Sequence, residues 1–450
     1  MSELSFFELL QMLKSPLSLH KEFIPRFRRL SAEFIWVFVG QVASFIGAIV
    51  LVSVLTAHLV PSQYGQLALG LTAASFVNQV VMGGLAVGAG RYYAIAAEKQ
   101  SLSGYLRATA RLLGTASVAI LLIGILLTAV LNWTAHSEWI GLVAAALLFA
   151  TFSGVNNAIN NIQNAARQRA AVAFHAGLEP WLRMVFAIGV IHWIGISNAA
   201  IVAGYACASL LITMSQVRIL RSTHVWRQSS ALERDHWTPQ IWAYSAPFAS
   251  WGVFTWMQSV SDRWALQAFS SASDVGQYAV LIQFGAAPVA QVTNMVVSFL
   301  GPILYQRAGD ANDHARTNTV HHLSWKMAKL SLAIALASFA IALATHEWLF
   351  AIIVSIEYRS SSPLFPWVVL AGGLYATGQI LALKLLSDMK PAAMTSAKIV
   401  TAGVGIALSI IGACVSGLTG VVIATLVFSS VYLFWMMMLA IRPSSRDIPQ

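Results

Sequence analysis

Long apolar segments separated by short polar stretches recur along nearly the whole chain. A membrane-spanning helix needs about 20 predominantly apolar residues, and twelve segments meet or nearly meet this length. They lie at residues 34–60, 66–90, 112–133, 139–163, 170–196, 198–217, 240–269, 277–304, 327–345, 364–383, 399–416 and 418–441. Charged residues make up 10% of the chain, against roughly 25% in soluble domains, which excludes a soluble globule. The sequence predicts an all-α integral membrane protein with twelve transmembrane helices.

The distribution of the basic residues predicts how these helices are oriented. The chain has 27 Lys and Arg residues and a formal net charge of +10. Arg183 and Arg263 lie inside predicted spans and Arg359 lies in a predicted outer loop, whereas the others fall near the chain termini or after even-numbered spans. Cytoplasmic loops carry such an excess, so both the N and the C terminus are predicted to be cytoplasmic. The basic residues are expected to meet anionic lipid headgroups, and no nucleic-acid partner is predicted.

An internal repeat divides the chain into two halves. The segment Ser62–Leu69 aligns with Ser273–Val280 at an offset of 211 residues, sharing a Ser, a Gly, a Gln and an Ala. Because this offset contains six predicted spans, an even number, the halves have the same orientation and form a parallel repeat. The predicted regions are a cytoplasmic amphipathic segment at 1–30, six-helix bundles at 31–223 and 238–442, a cytoplasmic linker at 224–237 and a cytoplasmic tail at 443–450.

Short motifs in the two halves resemble those of the polysaccharide flippases in the multidrug/oligosaccharidyl-lipid/polysaccharide exporter superfamily. The motifs are LVPSQYG at 59–65, GLAVGAGRY at 84–92, DRWAL at 262–266, VGQY at 275–278 and GLTGVVIAT at 417–425, and the resemblance covers residues 34–440. It implies a carrier that moves a lipid-linked (polyprenyl-pyrophosphate) oligosaccharide from the inner to the outer leaflet of the bacterial cytoplasmic (inner) membrane. The product would feed the synthesis of lipopolysaccharide, exopolysaccharide or another surface polysaccharide.

The resemblance also implies a central, often cationic cavity between two six-helix lobes and a mechanism of alternating access. Twelve spans resemble the polysaccharide branch, whereas the lipid II flippase branch usually has fourteen. The partners predicted on this basis are the lipid-linked oligosaccharide, membrane lipids, a polysaccharide polymerase machinery and a coupling ion, either a proton or sodium.

Three arginines are candidates for binding the pyrophosphate. An arginine within a span costs roughly 2.5 to 3.5 kcal/mol on insertion scales and therefore marks a functional position by default. Arg183 lies midway along the fifth predicted span, Arg263 lies in the outer half of the seventh, and Arg91 ends the second on the cytoplasmic side. Two alternatives stay open: Glu179, one helical turn before Arg183, neutralises it, and Arg91 is an ordinary positive anchor at the membrane surface.

Glu179 and Asp262 are the predicted ion-coupling residues, because a protonatable group within a span can link transport to an ion gradient. Asp262 and Arg263 are adjacent in sequence. Adjacent helical positions point about 100° apart, so one of these two side chains needs a different partner. The alternative is that both acids form structural ion pairs between helices.

The fourth predicted span carries a stripe of asparagines that suits the glycan. Asn156, Asn157, Asn160 and Asn164, together with Asn161, fall within an arc of about 140° on a helix of 3.6 residues per turn. Amide groups form hydrogen bonds readily with sugar hydroxyls, and the stripe occupies the cytoplasmic half of the span. The alternative is that these amides hold neighbouring membrane helices together.

The sequence contains no motif that indicates an enzyme. GxxxxGK[ST], HExxH and GxSxG are all absent. The two cysteines, Cys207 and Cys414, lie in separate apolar segments, and neither a metal nor a cofactor is predicted. Two other functions stay open: a small-solute or drug secondary transporter with two six-helix halves, and a non-transporting scaffold for a polymerase complex.

Overall fold

A computed structural model describes residues 20–134, 137–222, 237–293, 314–387 and 391–441, and these ranges contain helices and turns but no β-strand. One π-helical turn at Asn78–Met82 joins α2 to α3, and another at Ile282–Ala286 continues α9 as far as residue 293. The α-helices are α1 (His20–His58), α2 (Pro61–Val77), α3 (Gly83–Glu98), α4 (Leu102–Trp133), α5 (Ile140–Ala165), α6 (Arg169–Trp193), α7 (Asn198–Ser222), α8 (Trp237–Phe269), α9 (Ala272–Leu281), α10 (His314–Ile353), α11 (Phe365–Ser387) and α12 (Pro391–Ile441).

Helices α2 and α9 begin at equivalent positions of the internal repeat. Pro61 opens α2, and proline suits this position because it has no N–H that would lack a partner there. The N–H of Val60 donates to the Oε1 of Gln63 at 3.3 Å. At the start of α9, the Oγ of Ser271 accepts a hydrogen bond of 3.1 Å from the N–H of Asp274, which is a standard helix cap. Local sequence therefore sets both helix starts, by two different means.

Nine segments of the described ranges are long and apolar enough to cross a membrane. Their outward-facing side chains are largely apolar: Ile125 and Leu126 on α4 are 64% and 66% exposed. A continuous exposed apolar surface of this kind suits contact with lipid. The chain is therefore an all-helical, multi-pass membrane protein.

The predicted count of twelve spans differs from these nine segments in three places. Helix α8, predicted at 240–269, is not among the nine, and the span predicted at 277–304 extends beyond residue 293, outside the described residues. The spans predicted at 399–416 and 418–441 form one segment, Ile399–Ile441, whose backbone leaves the helical conformation at Ser416 and Gly417. The count of twelve and the cytoplasmic termini stay predictions.

The predicted terminal regions and linker are covered only in small part. Helix α1 runs without a break from His20, across the predicted boundary between the amphipathic segment and the first bundle. Residues 1–19, nearly all of the predicted linker and the predicted tail lie outside the described residues.

The helices pack in two groups. In the first group, α1 packs along α6, α6 along α7 and α7 along α5, which also contacts α2, α3 and α4. In the second, α12 packs on α8 and α11, and α11 packs on α10. One apolar core runs through both groups, from Leu55 on α1 to Val422 on α12.

The two groups meet at one end of the bundle where α2 crosses α9. Gly65 and Gly276 face each other at the crossing, and a Cβ on either would overlap a backbone carbonyl of the opposite helix. Beside them, the hydroxyl of Tyr358 donates to the carbonyl oxygen of Leu59 at 2.8 Å. We call this the Leu59 end; the charge pattern predicts that it faces outward.

The groups also meet at the opposite end, where α3 and α4 pack on α8. The rings of Tyr105 and Trp237 lie edge to face there, with centroids 6.1 Å apart. Between the two ends, the hydroxyl of Thr255 donates to the Oε1 of Gln79 at 3.0 Å. We call the end at Trp237 the Trp237 end; the charge pattern predicts that it faces the cytoplasm.

Candidate functional site

Arg183 and Glu179 form an ion pair on one face of α6. The distance from Nη2 to Oε1 is 2.5 Å, and the two side chains are 27% and 23% exposed. The guanidinium also lies over the rings of Phe149 and Tyr205, 4.8 and 5.8 Å from their centroids. The hydroxyl of Ser209 donates to Glu179 at 3.3 Å. Arg183 is thus neutralised within its own helix, the alternative that the spacing left open, although its buried Nε has no hydrogen-bond partner in the described ranges.

Arg263 on α8 differs from Arg183 because it forms no ion pair within the described part of the chain. Its Nε is likewise buried without a hydrogen-bond partner there. The neighbouring Asp262 turns back on its own helix, where its Oδ1 accepts the N–H of Arg263 at 2.8 Å. The carboxyl group also interacts with Tyr278, whose hydroxyl lies 3.0 Å from that of Thr425 on α12. The two adjacent charges therefore have different surroundings, as helix geometry predicts.

Two buried tyrosines connect the arginines across the boundary between the helix groups. Tyr205 on α7 interacts electrostatically with Arg183 and with Tyr64. Tyr64 on α2 interacts in turn with Arg263 on α8. Tyr64 and Tyr205 thus lie within electrostatic range of both arginines taken together, and the ring of Tyr64 packs on that of Tyr358 toward the Leu59 end. We call the following residues the charge cluster: Glu179, Arg183, Tyr205, Tyr64, Arg263 and Asp262.

Four of the residues singled out from the sequence, Glu179, Arg183, Asp262 and Arg263, therefore lie in one connected cluster. Arg91 does not belong to it, because it lies on the last part of α3, near the Trp237 end, where its side chain is exposed. The sequence indicated each residue singly, whereas the structure places Arg183 beside Tyr205 and Arg263 near Tyr64, and Tyr205 interacts with Tyr64.

Two of the predicted sugar-binding asparagines hold α5 against α7. Asn156 is buried; its Nδ2 donates to the carbonyl oxygen of Ser209 at 3.1 Å, and its Oδ1 accepts the hydroxyl of Thr213 at 2.6 Å. The Oδ1 of Asn160 accepts the Nε2 of Gln216 at 2.8 Å. These contacts match the alternative in which the amides join membrane helices.

The other two predicted asparagines are accessible. Asn157 and Asn164 are both exposed. Asn161 lies beside Asn157 and donates to its Oδ1 at 3.2 Å, and its Cβ packs near Gly90 on α3. The stripe is thus divided between a face against α7 and a face that lies toward α3.

Sequence reasoning missed Tyr64 and Tyr205, whereas the tryptophans of the seventh predicted span were expected mainly to pack. Tyr64 lies within the repeat motif, but Val275 occupies the equivalent position in the second copy, so the repeat gave no signal for an aromatic role. The indole N–H groups of Trp256 and Trp264 on α8 donate to the carbonyl oxygen and the hydroxyl of Thr72, at 2.8 and 3.1 Å. These indoles fasten α8 to α2 beside the charge cluster.

The site brings side chains of the two helix groups together inside a membrane protein. Within the described ranges, no group of three or more His, Cys, Asp or Glu side chains is placed to hold a metal ion. Charged and aromatic side chains from both helix groups come together in the helix bundle, on α2, α6, α7 and α8. The fold and the site together define an all-helical, multi-pass membrane protein with charged and aromatic side chains between its two helix groups.

Several solved structures share this fold, and the descriptions of two of the three below name the multidrug/oligosaccharidyl-lipid/polysaccharide exporter (MOP) superfamily. The lipid II flippase MurJ in an inward closed conformation aligns with a TM-score of 0.64 and 13% identity, over 92% of this chain and 88% of that one. An inward-facing multidrug resistance transporter of the MATE family aligns with a TM-score of 0.60 and 14% identity, over 91% and 98%. A MOP superfamily transporter from Pyrococcus furiosus gives 0.57 and 13%, over 90% and 95%.

At such low identities the likeness concerns the fold alone. No protein-family model matches the sequence, and no curated protein matches it either. The superfamily resemblance predicted from the motifs is confirmed by the fold.

Proposed function

We propose that the chain is a flippase that moves a polyprenyl-pyrophosphate-linked oligosaccharide from the inner to the outer leaflet of the bacterial cytoplasmic membrane, for surface polysaccharide biosynthesis. The observation that carries the proposal is the environment of Arg263. Its guanidinium is partly buried between the helix groups, has no ion pair in the described chain and keeps a buried Nε without a partner. A cation in this state is stabilised when an anion arrives.

A pyrophosphate suits this site because a guanidinium presents a planar set of N–H donors that matches two phosphate oxygens. Arg183 is already paired with Glu179, so Arg263 is the primary phosphate ligand in this proposal. Arg183, which also has an unused Nε donor, is the second ligand. The polyprenyl tail stays in lipid.

The proposed coupling ion is a proton, and its site is Asp262. The charged and titratable groups around this carboxyl are Arg263 on the same helix, Tyr278 from α9 and, through Arg263, Tyr64 from α2; α12 contributes the neutral Thr425. With Glu179 and Arg183 paired, an ionised Asp262 leaves the cluster neutral, and a protonated one leaves it with a net positive charge. The protonation state of Asp262 therefore sets the net charge that the cluster presents to the pyrophosphate.

The glycan is proposed to enter at the Trp237 end. Arg91, Asn157 and Asn164 are exposed toward that end, where a cation and amides can contact the phosphate and the sugar hydroxyls. Alternating access would then move the bundle at 31–223 against the bundle at 238–442. The lipid-linked product would pass to a polymerase machinery on the outer side.

The proposal is tested in a deletion strain complemented with variants. Deletion should trap lipid-linked repeat units on the inner leaflet, measured by extracting the lipid and probing it for access from the outer side. Arg263→Gln should lower turnover at least tenfold at unchanged protein level. The turnover of Arg263→Lys should lie between that of the wild type and that of Arg263→Gln, because lysine keeps the charge but lacks the planar guanidinium.

Arg359→Gln is the matched control, because Arg359 is exposed and donates to the carbonyl oxygen of Ala351 away from the charge cluster. It should leave turnover unchanged. Normal export of surface polysaccharide by the deletion strain would overturn the proposed function.

A second candidate function, export of a drug or small solute, is favoured by the similarity of the fold to the MATE transporter. The same deletion strain separates the two. If the chain exports drugs, the deletion strain should be more sensitive to toxic compounds and should keep normal turnover of lipid-linked units. The unpaired Arg263 argues against cationic drugs as cargo, because like charges repel.

A further inference from the structure

The segment Pro61–Glu98, which contains α2 and α3, contacts the second helix group at both of its ends. At the Leu59 end, Gly65 on α2 faces Gly276 on α9. At the Trp237 end, α3 packs on α8, and a Cβ on Gly84 would lie 2.6 Å from the carbonyl oxygen of Ser245. For one end to separate while the other stays closed, this segment has to bend between the two contacts.

A π-helical turn lies between these two contacts, at Asn78–Met82. In such a turn the backbone hydrogen bonds run from residue i to residue i+5, instead of i+4 as in an α-helix. It is one of the few features at which long helices bend sharply, since the regular ladder of hydrogen bonds is already interrupted there. The direction of α2 can therefore change relative to α3 at this turn.

The partner of α2 in the crossing, α9, also leads into a π-helical turn. This second turn occupies Ile282–Ala286, and the N–H of Ala287 donates to the carbonyl oxygen of Ile282, five residues earlier. In both halves the turn follows the crossing glycine along the chain, Gly65 in one and Gly276 in the other. The crossing pair, α2 and α9, is thus joined to the rest of each span through a π-helical turn.

Each π-helical turn packs on a glycine of a neighbouring helix. A Cβ on Gly252 of α8 would overlap the carbonyl oxygen of Gln79 in the first turn. A Cβ on Gly372 of α11 would lie 2.9 Å from the Cα of Ala286 in the second. Backbone contacts backbone at both turns, which suits a pivot because the glycines have no side chain to repack.

We infer that the two π-helical turns are hinges, on which α2 and α9 separate to open the Leu59 end while α3 stays packed on α8. The inference rests on the proposed function for its use of alternating access. Hinges in other proteins are likewise a few residues at the ends of elements that absorb a change in backbone angles. Opening also breaks the two indole hydrogen bonds from Trp256 and Trp264 to Thr72 on α2, which hold the end closed.

Opening is tested by cysteine labelling in intact cells, on the full chain without Cys207 and Cys414. Leu69, one turn after Gly65 on α2, is 2% exposed. Leu69→Cys should therefore react with a membrane-impermeant maleimide only while the Leu59 end is open. Ser62→Cys is the matched control, because Ser62 is exposed at the start of α2 and should react in every state.

Deleting one residue from a π-helical turn tests the hinge itself. Deletion of Val81 turns the i to i+5 bonds of the first turn into i to i+4 bonds and joins the flanking helices in one α-helix. Deletion of Phe284 does the same in the second turn. Each deletion should lower the labelling of Leu69→Cys at least fivefold. Val81→Ala, which keeps the number of residues, should leave it unchanged.

Two measurements separate a stiffened hinge from a misfolded chain. Unchanged labelling of Ser62→Cys at unchanged protein level shows that a deletion variant is folded and inserted. Hydrogen exchange on the wild type in lipid nanodiscs needs no variant. The amides at 78–83 and 282–287 should exchange at least tenfold faster than those at 147–152 in α5, because amides exchange through local opening.

Three results overturn the inference: no labelling of Leu69→Cys in the absence of a deletion, equal labelling with and without the deletions, or equal exchange at the turns and in α5. Turnover of lipid-linked units by a chain in which Leu69→Cys never reacts overturns this inference alone. Hinge-dependent labelling, combined with normal export of polysaccharide by a strain that lacks the gene, overturns the proposed function and leaves the hinges standing.

Discussion

Gly65 on α2 and Gly276 on α9 pack backbone to backbone, and they occupy equivalent positions of the internal repeat. The contact is reciprocal: a Cβ on Gly65 would overlap the carbonyl oxygen of Ala272, and a Cβ on Gly276 would overlap that of Pro61. Each half thus contributes the same residue and the same helix start to the crossing that closes the Leu59 end.

Replacing either crossing glycine by alanine should destabilise this closed arrangement. Gly65→Ala or Gly276→Ala forces the helices apart, and overpacking of this kind costs roughly 1 to 3 kcal/mol. We expect a lower unfolding temperature for each purified variant, measured by heating in detergent.

Gly114→Ala and Gly189→Ala are the matched controls, because nothing lies within 4 Å of a Cβ built at either position. Alanine favours a helix over glycine by up to about 1 kcal/mol, so these controls should be neutral or stabilised. Equal effects at crossing and control positions would contradict the close contact between α2 and α9.

Helix positions could be predicted from the sequence because apolar length decides them. The prediction of 170–196 corresponds to α6 at Arg169–Trp193, and that of 198–217 to α7 at Asn198–Ser222. The i, i+4 spacing of Glu179 and Arg183 also indicated their ion pair as one of two open alternatives, because the two positions share a helix face.

Contacts between helices could not be predicted in the same way, because they depend on how distant segments pack. Nothing in the spacing of Tyr64 and Tyr205 indicates that they connect Arg183 to Arg263. Similarly, the asparagine stripe on α5 could be predicted from the sequence. Which of its amides face α7 depends on the positions of Thr213 and Gln216 in the fold. Sequence periodicity defines a polar face and leaves its partner open.

The asparagine stripe should divide into structural and functional members. Asn156→Ala removes the two hydrogen bonds from its amide to α7, while the Thr213 hydroxyl keeps its bond to the carbonyl oxygen of Ser209. Each lost bond should cost about 0.5 to 1.5 kcal/mol of stability. Asn157→Ala changes an exposed side chain and should alter stability by no more than about 0.5 kcal/mol.

Turnover of lipid-linked units should respond in the opposite order once it is normalised to folded protein. Asn157→Ala should reduce it, whereas the remaining folded fraction of Asn156→Ala should work normally. Unfolding in detergent and the complementation assay supply the two measurements. A stable Asn156→Ala protein would argue against its role between α5 and α7.

The ion pair on α6 should behave as a coupled unit in a double-mutant cycle. Arg183→Gln alone leaves Glu179 without its cation, and Glu179→Gln alone leaves Arg183 without its anion, so each should lower the unfolding temperature. The double variant should be more stable than the sum of the single effects, because it removes both charges together. Strict additivity in the unfolding experiment would show that the pair contributes nothing to stability.

The bend at Gly417 determines whether α12 crosses the membrane once or twice. A helix of 51 residues would be about 76 Å long at 1.5 Å per residue, far more than the roughly 30 Å hydrocarbon core. At Gly417 φ is +54°, a backbone conformation that glycine adopts readily. The two arms of α12 fold back on each other, and Gly412 and Gly420, which lie on opposite sides of the bend, pack closely.

If α12 crosses the membrane twice, the bend at Gly417 should lie on the outer side of the membrane. In a variant without Cys207 and Cys414, Ser416→Cys should react with a membrane-impermeant maleimide in intact cells. Gln100→Cys, in the turn between α3 and α4, is the matched control and should react only after the cells are made permeable. Labelling of both positions from the same side would contradict two crossings by α12, and with them the predicted count of twelve.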